Sequence, residues 1–396
     1  MMQISPETQL FIREHSSDDV RALALQAKKY PDIDMPTAIT QIAGRKVAAK
    51  KIPSWWEIEK IWYPKHLSLE QCSSEITARY KARLLQGDSL TDLTGGFGID
   101  CSFLATGFKS ATYVERQEEL CEIAAHNFPV LNLNHINIKN EDGVTYLQAM
   151  SPVDCLFLDP ARRNEHGGKT VAISDCEPNV AELEELLLQK ANRVMIKLSP
   201  MLDLSLALKE LKQTQEVHIL SVNNECKELL ILLGQTSPTE ISIHCVNLST
   251  KGTQEEQHFV FTREQEQCSE CTYTDSLETY LYEPNASLLK AGAFRSIAVA
   301  YPVRKLHPNS HLYTSDTFIE NFPGRIFRIV NQCSFNKKEV KENLADLKKA
   351  NVTVRNFPAT VAELRKRIHL AEGGDTYLFA STLNNGQKVL IRCEKV

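Results

Sequence analysis

The stretch Thr91-Asp92-Leu93-Thr94-Gly95-Gly96-Phe97-Gly98-Ile99-Asp100 decides the fold, and it follows a short apolar run. Its closely spaced glycines tolerate positive φ angles and let the backbone approach a ligand. A second apolar run ends at Glu115, 23 positions after Asp92. A carboxylate that ends the next strand can accept hydrogen bonds from both hydroxyls of a ribose. The two features together predict a site for a cofactor that contains ribose.

The charge at Asp92 separates the possible cofactors. A carboxylate directly before the glycines would repel the anion of a pyrophosphate ligand, so a cationic or zwitterionic ligand fits better. S-adenosylmethionine carries an ammonium group, a sulfonium and a ribose. Asp92 is therefore a candidate for attracting the methionine end, and Glu115 for holding the sugar. The alternative is a glycine turn that only connects a strand to a helix.

Strand-like runs alternate with helix-compatible segments along this part of the chain, which predicts a parallel α/β sheet. Two later runs, Glu216–Val222 and Glu228–Leu233, are separated by only five residues. Because this is too short for a crossover helix, these two strands are predicted to form an antiparallel hairpin. The five parallel runs are Leu90–Thr94, Ser110–Glu115, Ile136–Asn140, Val153–Asp159 and Val194–Leu198.

Five parallel strands closed by such a hairpin resemble the class I S-adenosylmethionine-dependent methyltransferases, which have a Rossmann-like α/β core. The resemblance covers about residues 71–235, and the glycine-rich run is similar to the first motif of that family. By the same comparison, Glu115 matches the ribose-binding acid, and Asp142 matches the residue that contacts the adenine amino group. The resemblance implies S-adenosylmethionine as cofactor, with these binding residues: Asp92, Thr94, Gly95, Gly96, Phe97, Gly98, Glu115, Arg116, Asp142, Gly143 and Asp159.

The candidate catalytic segment starts at Asp159 and Pro160, where the family has its substrate-side motif at the end of the fourth strand. Methyl transfer needs mainly the alignment of a nucleophile with the methyl group. We expect Asp159 to act as acceptor or weak base toward the target group, and Pro160 to shape the pocket floor. Arg162 and Arg163 are expected to grip a phosphate or carboxylate of the substrate, assisted by Lys197. A strand-terminal Asp-Pro can also be just a turn.

The target atom stays open. Enzymes that methylate exocyclic base nitrogens commonly have Asn/Asp-Pro-Pro-aromatic here, and this chain keeps Asp159 and Pro160 but lacks the second proline and the aromatic residue. Asp-Pro-Ala-Arg also resembles the motif of RNA 5-methyluridine enzymes, which add a cysteine thiolate to the base. The fifth strand is followed by Lys197-Leu198-Ser199-Pro200, which has no cysteine, so covalent carbon methylation is not favoured.

The whole chain resembles a bacterial methyltransferase subgroup with a C-terminal THUMP-like domain, so called after an RNA-binding module. The stretches that carry this resemblance are Ser73–Tyr80, Asp159–Arg163, Tyr282–Ala286 and Asn321–Arg325. We expect a helical N-terminal extension at 1–70, the methyltransferase domain at 71–235, a β-rich or α+β intermediate domain at 236–324, and a small α+β domain at 325–396. Within the last, a helix is predicted over Lys337–Ala350 and a short strand over Val352–Arg355.

Composition is typical of a globular enzyme, since 396 residues with 42% apolar content allow two to four domains with real cores. Residues 1–20 mix five charged residues among apolar ones, so neither a signal peptide nor a membrane span is expected. We therefore expect a cytoplasmic location. The eleven cysteines are mostly single. Cys268 and Cys271 form the only close pair, and without a second pair no metal site is predicted.

Charge differs between regions: residues 1–60 carry +1, residues 331–396 carry +5, and the middle of the chain carries −11. Any RNA would therefore be gripped by the two ends. Near the N-terminus, Arg45, Lys46, Lys50 and Lys51 run into Pro53, Trp55 and Trp56, a set that fits either RNA contact or an amphipathic helix with core tryptophans. Near the C-terminus, Arg365-Lys366-Arg367 is a candidate phosphate-contacting patch.

The combined interpretation is a methyltransferase that modifies a base in ribosomal or transfer RNA. Two alternatives remain: a non-catalytic module that binds the cofactor and associates with RNA or protein, and a methyltransferase acting on a protein or small molecule. The segment 164–175, which contains two glycines, is a candidate lid. The oligomeric state is left open.

Overall fold

The computed structural model describes residues 4–162, 172–236, 238–250 and 256–396. The chain divides into two compact units. Met1–Gln215 and Leu229–Pro238 form the first unit, and Glu216–Glu228 and Thr239–Val396 form the second. The chain crosses between the units within two consecutive strands.

The first unit begins with helices, as predicted. Capping residues start several of them: the Ser5 hydroxyl accepts from the Thr8 N–H at 3.2 Å, and the Asp34 carboxylate accepts from the Thr37 N–H at 3.2 Å. Phe11, Leu23 and Ile42 lie in one shared core. The helices are α1 Pro6–Glu14, α2 Val20–Leu25, α3 Met35–Lys51, α4 Pro53–Trp56, α5 His66–Gln71 and α6 Glu75–Ala82.

A parallel sheet with flanking helices follows in the first unit. The strands are β1 Ser89–Asp92, β2 Ser110–Glu115, β3 Ile136–Asn140, β4 Val153–Leu158, the short antiparallel pair β5 Ala161–Arg162 and β6 Cys176–Glu177, and β7 Ala191–Leu198. Parallel pairing gives the order β3-β2-β1-β4-β7. The helices are α7 Ile99–Ala105, α8 Glu118–Val130, α9 Gly143–Ala149, α10 Val180–Lys190 and α11 Leu204–Glu210.

The predicted hairpin consists of β8, Thr214–Val222, and β9, Glu225–Gly234. Its two connecting residues, Asn223 and Asn224, both have positive φ, at 51° and 67°. Positive φ at both central residues is the signature of the type I′ turn, whose twist matches that of the flanking strands. β9 pairs antiparallel with β7. The predicted α/β core, a parallel sheet that ends in an antiparallel hairpin, is therefore confirmed.

In the second unit, β8 pairs in parallel with β10, Ser242–Leu248. β10 pairs antiparallel with β11, Glu256–Thr262, which leads into the short helix α12, Arg263–Cys268. Residues 236–324, for which the sequence predicts a β-rich or α+β region, thus place β10 beside β8 and β11 beside β10.

The second unit also contains a seven-stranded sheet with the order β13-β14-β12-β15-β18-β17-β16. Buried Glu283 on β12 forms ion pairs with Arg325 and Arg355, which joins two of the sequence stretches that carry the resemblance. The elements are β12 Tyr280–Pro284, α13 Ala286–Ala291, α14 Ser296–Ala300, β13 Arg304–Lys305, β14 Tyr313–Ser315, β15 Gly324–Ser334, α15 Lys337–Leu344, β16 Lys349–Val354, α16 Val361–Ile368, β17 Ala371–Thr382 and β18 Lys388–Lys395.

One helix boundary differs from the sequence prediction. The helix predicted over Lys337–Ala350 ends at Leu344, and Lys349–Val354 form β16 instead. β16 pairs in parallel with β17, so tertiary pairing overrides the local helical pattern. None of the helices within the described ranges is both long and apolar enough to cross a membrane.

Candidate functional site

The glycine loop connects β1 to α7 in a tight turn. Gly96 and Gly98 have φ angles of +55° and +86°, and the Gly98 N–H donates to the Gly95 carbonyl at 2.9 Å. A Cβ on Gly95 would lie 2.2 Å from the ring of Tyr113, so no larger residue fits there. At Gly96, by contrast, the nearest atom to an added Cβ is 3.8 Å away. The loop thus presents open backbone at Gly96, as close approach of a ligand requires.

Glu115 lies beside this loop at the end of β2. Its Oε2 accepts from the Gly96 N–H at 2.9 Å, and its Oε1 accepts from the Gln117 N–H at 2.9 Å. Each carboxylate oxygen has two acceptor lone pairs, so both retain capacity for another donor. The arrangement fits the pair of ribose hydroxyls that the sequence predicts for this residue.

Asp92, at the end of β1, is 1% exposed. Its Oδ1 accepts from the Thr94 N–H at 3.0 Å, whereas its Oδ2 is buried and has no hydrogen-bond partner among the described residues. Burial raises the pKa of Asp92 to about 8. A positively charged group would satisfy the orphaned oxygen and stabilise the ionised form, so the site fits the ammonium end of S-adenosylmethionine.

Asp142 and Gly143 have structural roles at the start of α9. Asp142 Oδ1 accepts from the N–H groups of Val144 and Thr145, both at 3.0 Å, as a helix N-cap. A Cβ on Gly143 would lie 2.2 Å from the Leu93 carbonyl oxygen. These contacts place both residues next to the segment that follows β1, and the contact of Asp142 with an adenine amino group stays a prediction.

Two other candidate cofactor residues point elsewhere. The Phe97 side chain is buried against Trp55, with ring centroids 5.2 Å apart in an edge-on arrangement. The side chain of Phe97 thus packs into the core, and its backbone is the part of the residue that contributes to the glycine loop. The exposed Arg116 pairs with Glu177 of β6 at 3.4 Å.

Asp159 follows β4 and contacts both the glycine loop and β7. Its N–H donates to the Thr94 Oγ1 at 2.6 Å, and its carboxylate forms an ion pair with Lys197. The side chain keeps 37% of its surface exposed, so a substrate can reach it. Surrounding protein atoms raise the pKa of Asp159, and Lys197 acts in the opposite direction. Pro160 is buried next to it.

A buried network that the sequence analysis missed holds Lys197. Lys197 Nζ donates to Ser73 Oγ at 3.1 Å and lies 3.3 Å from Asp100 Oδ2. Lys81, which is 0% exposed, lies 3.0 Å from Asp100 Oδ1 and donates to Ser73 Oγ at 2.8 Å. Burial alone would raise the pKa of Asp100, but the two lysines overcome it and lower the pKa to about 2. Lys197 is thus enclosed by protein carboxylates, whereas the sequence suggests a grip on the substrate.

The other predicted substrate-side residues are only partly described. Arg162 lies in β5, while its side chain and Arg163 lie outside the described residues. The candidate lid at 164–175 is described only from residue 172 onward.

The N-terminal basic cluster contains one core tryptophan and one surface tryptophan. Trp55 is 2% exposed and belongs to the core, so of the two alternatives it matches that of a core tryptophan. Trp56 is 41% exposed, and the Arg45 guanidinium lies 5.7 Å from its ring centroid. Lys46 and Lys51 donate to backbone carbonyls, including those of residues 17 and 69, at 3.2 and 2.9 Å. Trp56 is the member of the pair available for stacking.

The C-terminal basic patch on α16 is also partly used within the protein. Arg365 donates to the Ala350 carbonyl at 3.2 Å, and the Arg367 guanidinium lies 4.1 Å from the ring centroid of Phe335. Lys366 is exposed. The patch therefore has at least one lysine facing solvent.

The chain is similar to two family models and to several solved structures. Residues 280–323 match the family model of a ferredoxin-like domain, and residues 324–395 match that of a THUMP domain-like family. No curated protein matches the chain. Two solved structures each align with 40% of the chain at 14% identity and a TM-score of 0.30. They are an rRNA methylase from Streptococcus thermophilus, covered to 93%, and a "putative methyltransferase" from Streptococcus mutans in complex with SAH, covered to 96%.

A crystal structure from Porphyromonas gingivalis, described as a "putative methyltransferase", is similar over 100% of both chains. The sequence identity is 34% and the TM-score is 0.88. This similarity includes the helical extension, the sheet with its glycine loop and the C-terminal sheet. The chain therefore belongs to the family of class I S-adenosylmethionine-dependent methyltransferases, in the bacterial subgroup that carries a C-terminal THUMP-like domain.

Proposed function

We propose that this protein is an S-adenosylmethionine-dependent methyltransferase that methylates a base in ribosomal or transfer RNA. The observation that carries the proposal is the position of Asp159, a partly exposed carboxylate held between Thr94 of the glycine loop and Lys197 of β7. A carboxylate in this place can orient an acceptor group beside a cofactor bound along the loop.

Residues at three strand ends would hold the cofactor, which supplies a methyl group on a sulfonium. Asp92 would attract the ammonium group with its orphaned Oδ2. Glu115 would accept from the ribose hydroxyls, and Asp142 would contact the adenine amino group. The exposed backbone of Gly96 lets the ligand approach without a steric clash.

Asp159 would accept a hydrogen bond from the target group and direct its lone pair toward the methyl group. Because Lys197 is itself anchored by Asp100 and Ser73, it fixes the Asp159 carboxylate in one position. A proton lost by the acceptor would pass to Asp159 Oδ1 or Oδ2 and then to solvent, since this side chain is partly exposed.

Charge and fold support RNA as the substrate class. The two ends of the chain, residues 1–60 and 331–396, each carry a net positive charge, although the whole chain is net negative. Residues 324–395 match the THUMP domain-like family. Exposed Lys366 and the Trp56–Arg45 pair provide phosphate-pairing and stacking groups at these ends.

The test is transfer of labelled methyl from S-adenosylmethionine to bulk RNA from cells that lack this protein. Asp159→Ala is the inactive variant. Asp88→Ala is the matched control, because Asp88 is an exposed aspartate that precedes β1 at the opposite end of the sheet and pairs only with Lys109 in the described contacts of its side chain.

We expect label in RNA with the wild type and with Asp88→Ala, and none with Asp159→Ala. Labelling of protein or small molecules from the same cells, with RNA unlabelled, would contradict the RNA proposal and favour another acceptor. Calorimetric binding of S-adenosylhomocysteine without label in any fraction would favour a non-catalytic module.

A further inference from the structure

Neighbouring strands of the second unit carry a cluster of histidines on one face. His244 of β10 lies opposite His218 of β8, and it also lies opposite Val260 of β11. His258 is two positions from Val260, and Glu216 is two positions from His218. Because side chains two positions apart on a strand point to the same face, all three imidazoles share a face with the Glu216 carboxylate.

Direct contacts order this cluster. His218 Nε2 lies 3.2 Å from Glu216 Oε2, and His244 Nδ1 lies 3.1 Å from His258 Nε2. His244 Nε2 lies 3.0 Å from Ser242 Oγ. The rings of His218 and His244 are stacked with centroids 4.3 Å apart, and those of His244 and His258 with centroids 5.3 Å apart. The imidazoles are therefore held in fixed relative positions.

The spacing of the donor atoms suits a metal ion. One possible ligand atom from each of Glu216, His218 and His244 lies within 4.8 Å of the other two. Zinc bonds of about 2.0–2.2 Å place two ligands of a tetrahedral ion about 3.4 Å apart. The His218–Glu216 pair has nearly this separation, and the third ligand atom, on His244, lies within 4.8 Å of both. Two imidazoles and a carboxylate are a common donor set for divalent transition metals.

The hydrogen-bond partners of His244 also suit this role. A metal-bound histidine normally uses its second ring nitrogen in a hydrogen bond that orients the ring. Ser242 and His258 are in place to provide that bond for His244.

We propose that Glu216, His218 and His244 bind one divalent transition-metal ion of the zinc type. The ion would link β8 to β10 and stabilise this part of the second unit. This site does not depend on the proposed methyl transfer. It revises the sequence-based expectation that the chain has no metal site, which considered only Cys268 and Cys271.

The experiment uses the full chain without a polyhistidine tag, stripped of metal by a chelator and then dialysed. Co²⁺ is added while its visible absorption is recorded, and Zn²⁺ is titrated against a chromophoric chelator. The variants are Glu216→Gln, His218→Ala and His244→Ala. The control is His369→Asn, since His369 is an exposed histidine with a φ of 55°, a conformation that asparagine tolerates.

We expect one ion per chain, a loss of affinity of at least about 100-fold in each cluster variant, and no change in the control. Failure of the wild-type chain to bind either ion would overturn the proposal, as would equal binding by His244→Ala. Far-UV circular dichroism checks that each variant is folded, and His244→Gln replaces His244→Ala if the latter is not. Without a metal, the cluster would be a ladder held by stacking and hydrogen bonds alone.

Discussion

Lys197 and Asp159 form an ion pair at the carboxyl ends of β7 and β4, which are neighbouring parallel strands. Lys197 also pairs with buried Asp100. One lysine therefore connects a buried carboxylate to a partly exposed one. The partly exposed carboxylate is available to a substrate, while the enclosed one fixes the lysine.

Asp159→Ala tests the role of this carboxylate. Because the described contact of Asp159 with the glycine loop is made by its backbone N–H, the variant should keep nearly normal affinity for S-adenosylhomocysteine. The rate of methyl transfer should fall at least about 100-fold, as for the loss of a positioned acid–base group. Isothermal calorimetry and single-turnover kinetics measure the two effects. Loss of cofactor binding would show that Asp159 belongs to the cofactor site instead.

Lys81→Met tests the buried network. Removing this fully enclosed ammonium group leaves Asp100 with one of its two lysine partners, so the free energy of unfolding should fall by about 3–5 kcal/mol. Lys109→Met breaks an exposed pair with Asp88 and should cost at most about 1 kcal/mol. Urea denaturation followed by tryptophan fluorescence measures the free energy of unfolding of both variants. All three tryptophans that report on unfolding lie before residue 63. Equal effects of the two changes would contradict the network.

Gly95→Ala tests the shape of the loop. The new Cβ would lie 2.2 Å from the buried Tyr113 ring, so we expect a loss of stability of about 1–3 kcal/mol and weaker cofactor binding. At Gly107 an added Cβ meets its nearest atom at 3.7 Å, and Gly107→Ala should change stability by no more than about 0.5 kcal/mol. Urea denaturation measures the stability of both variants, and calorimetry measures their affinity for the cofactor. Normal cofactor affinity in Gly95→Ala would argue against binding at this loop.

The raised pKa of Asp92 predicts a pH dependence of stability. Its pKa of about 8 in the folded chain exceeds the value near 4 of an unfolded chain. Between these values the folded state binds more protons than the unfolded state, so this residue's contribution to stability falls as the pH rises from about 4 to 8. Asp92→Asn should therefore gain stability relative to the wild type between pH 5 and pH 8. Asp88→Asn serves as control, and a flat difference for Asp92→Asn would mean that Asp92 is ionised in the folded chain.

The C-terminal patch predicts a salt-dependent affinity for RNA. Lys366→Glu should weaken binding and reduce the slope of log affinity against log salt by about one unit, as expected for a lost phosphate contact. Fluorescence anisotropy at several salt concentrations measures the slope. Lys109→Glu, an exposed lysine before β2, is the control. An unchanged slope in Lys366→Glu would exclude this lysine from the RNA interface.

The core fold is readable from local sequence because its signals are local. Apolar runs end at Asp92 and Glu115, and the short link at Asn223 and Asn224 allows only a hairpin. Since the carboxyl ends of parallel strands meet at one edge of the sheet, β1, β2 and β4 bring Asp92, Glu115 and Asp159 to the same edge.

Local sequence signals do not predict the buried network around Lys197 or the histidine cluster around His244. Ser73 and Lys197 are 124 positions apart, and no spacing rule connects them. Asp100 ends the decisive stretch, but its partner Lys81 becomes evident only when α6 packs beside α7, and its partner Lys197 lies on β7. The cluster around His244 likewise depends on strand register, which composition does not specify.

The ferredoxin-like region and the THUMP-like region share the seven-stranded sheet, because β12 of the first pairs antiparallel with β15 of the second. A fragment that starts at residue 324 would leave Gly324–Arg328 of β15 without their β12 partners. An unpaired strand edge promotes association between copies. The two regions thus form one folding module, and studies of RNA binding by the THUMP-like part require both halves of the sheet to be expressed together.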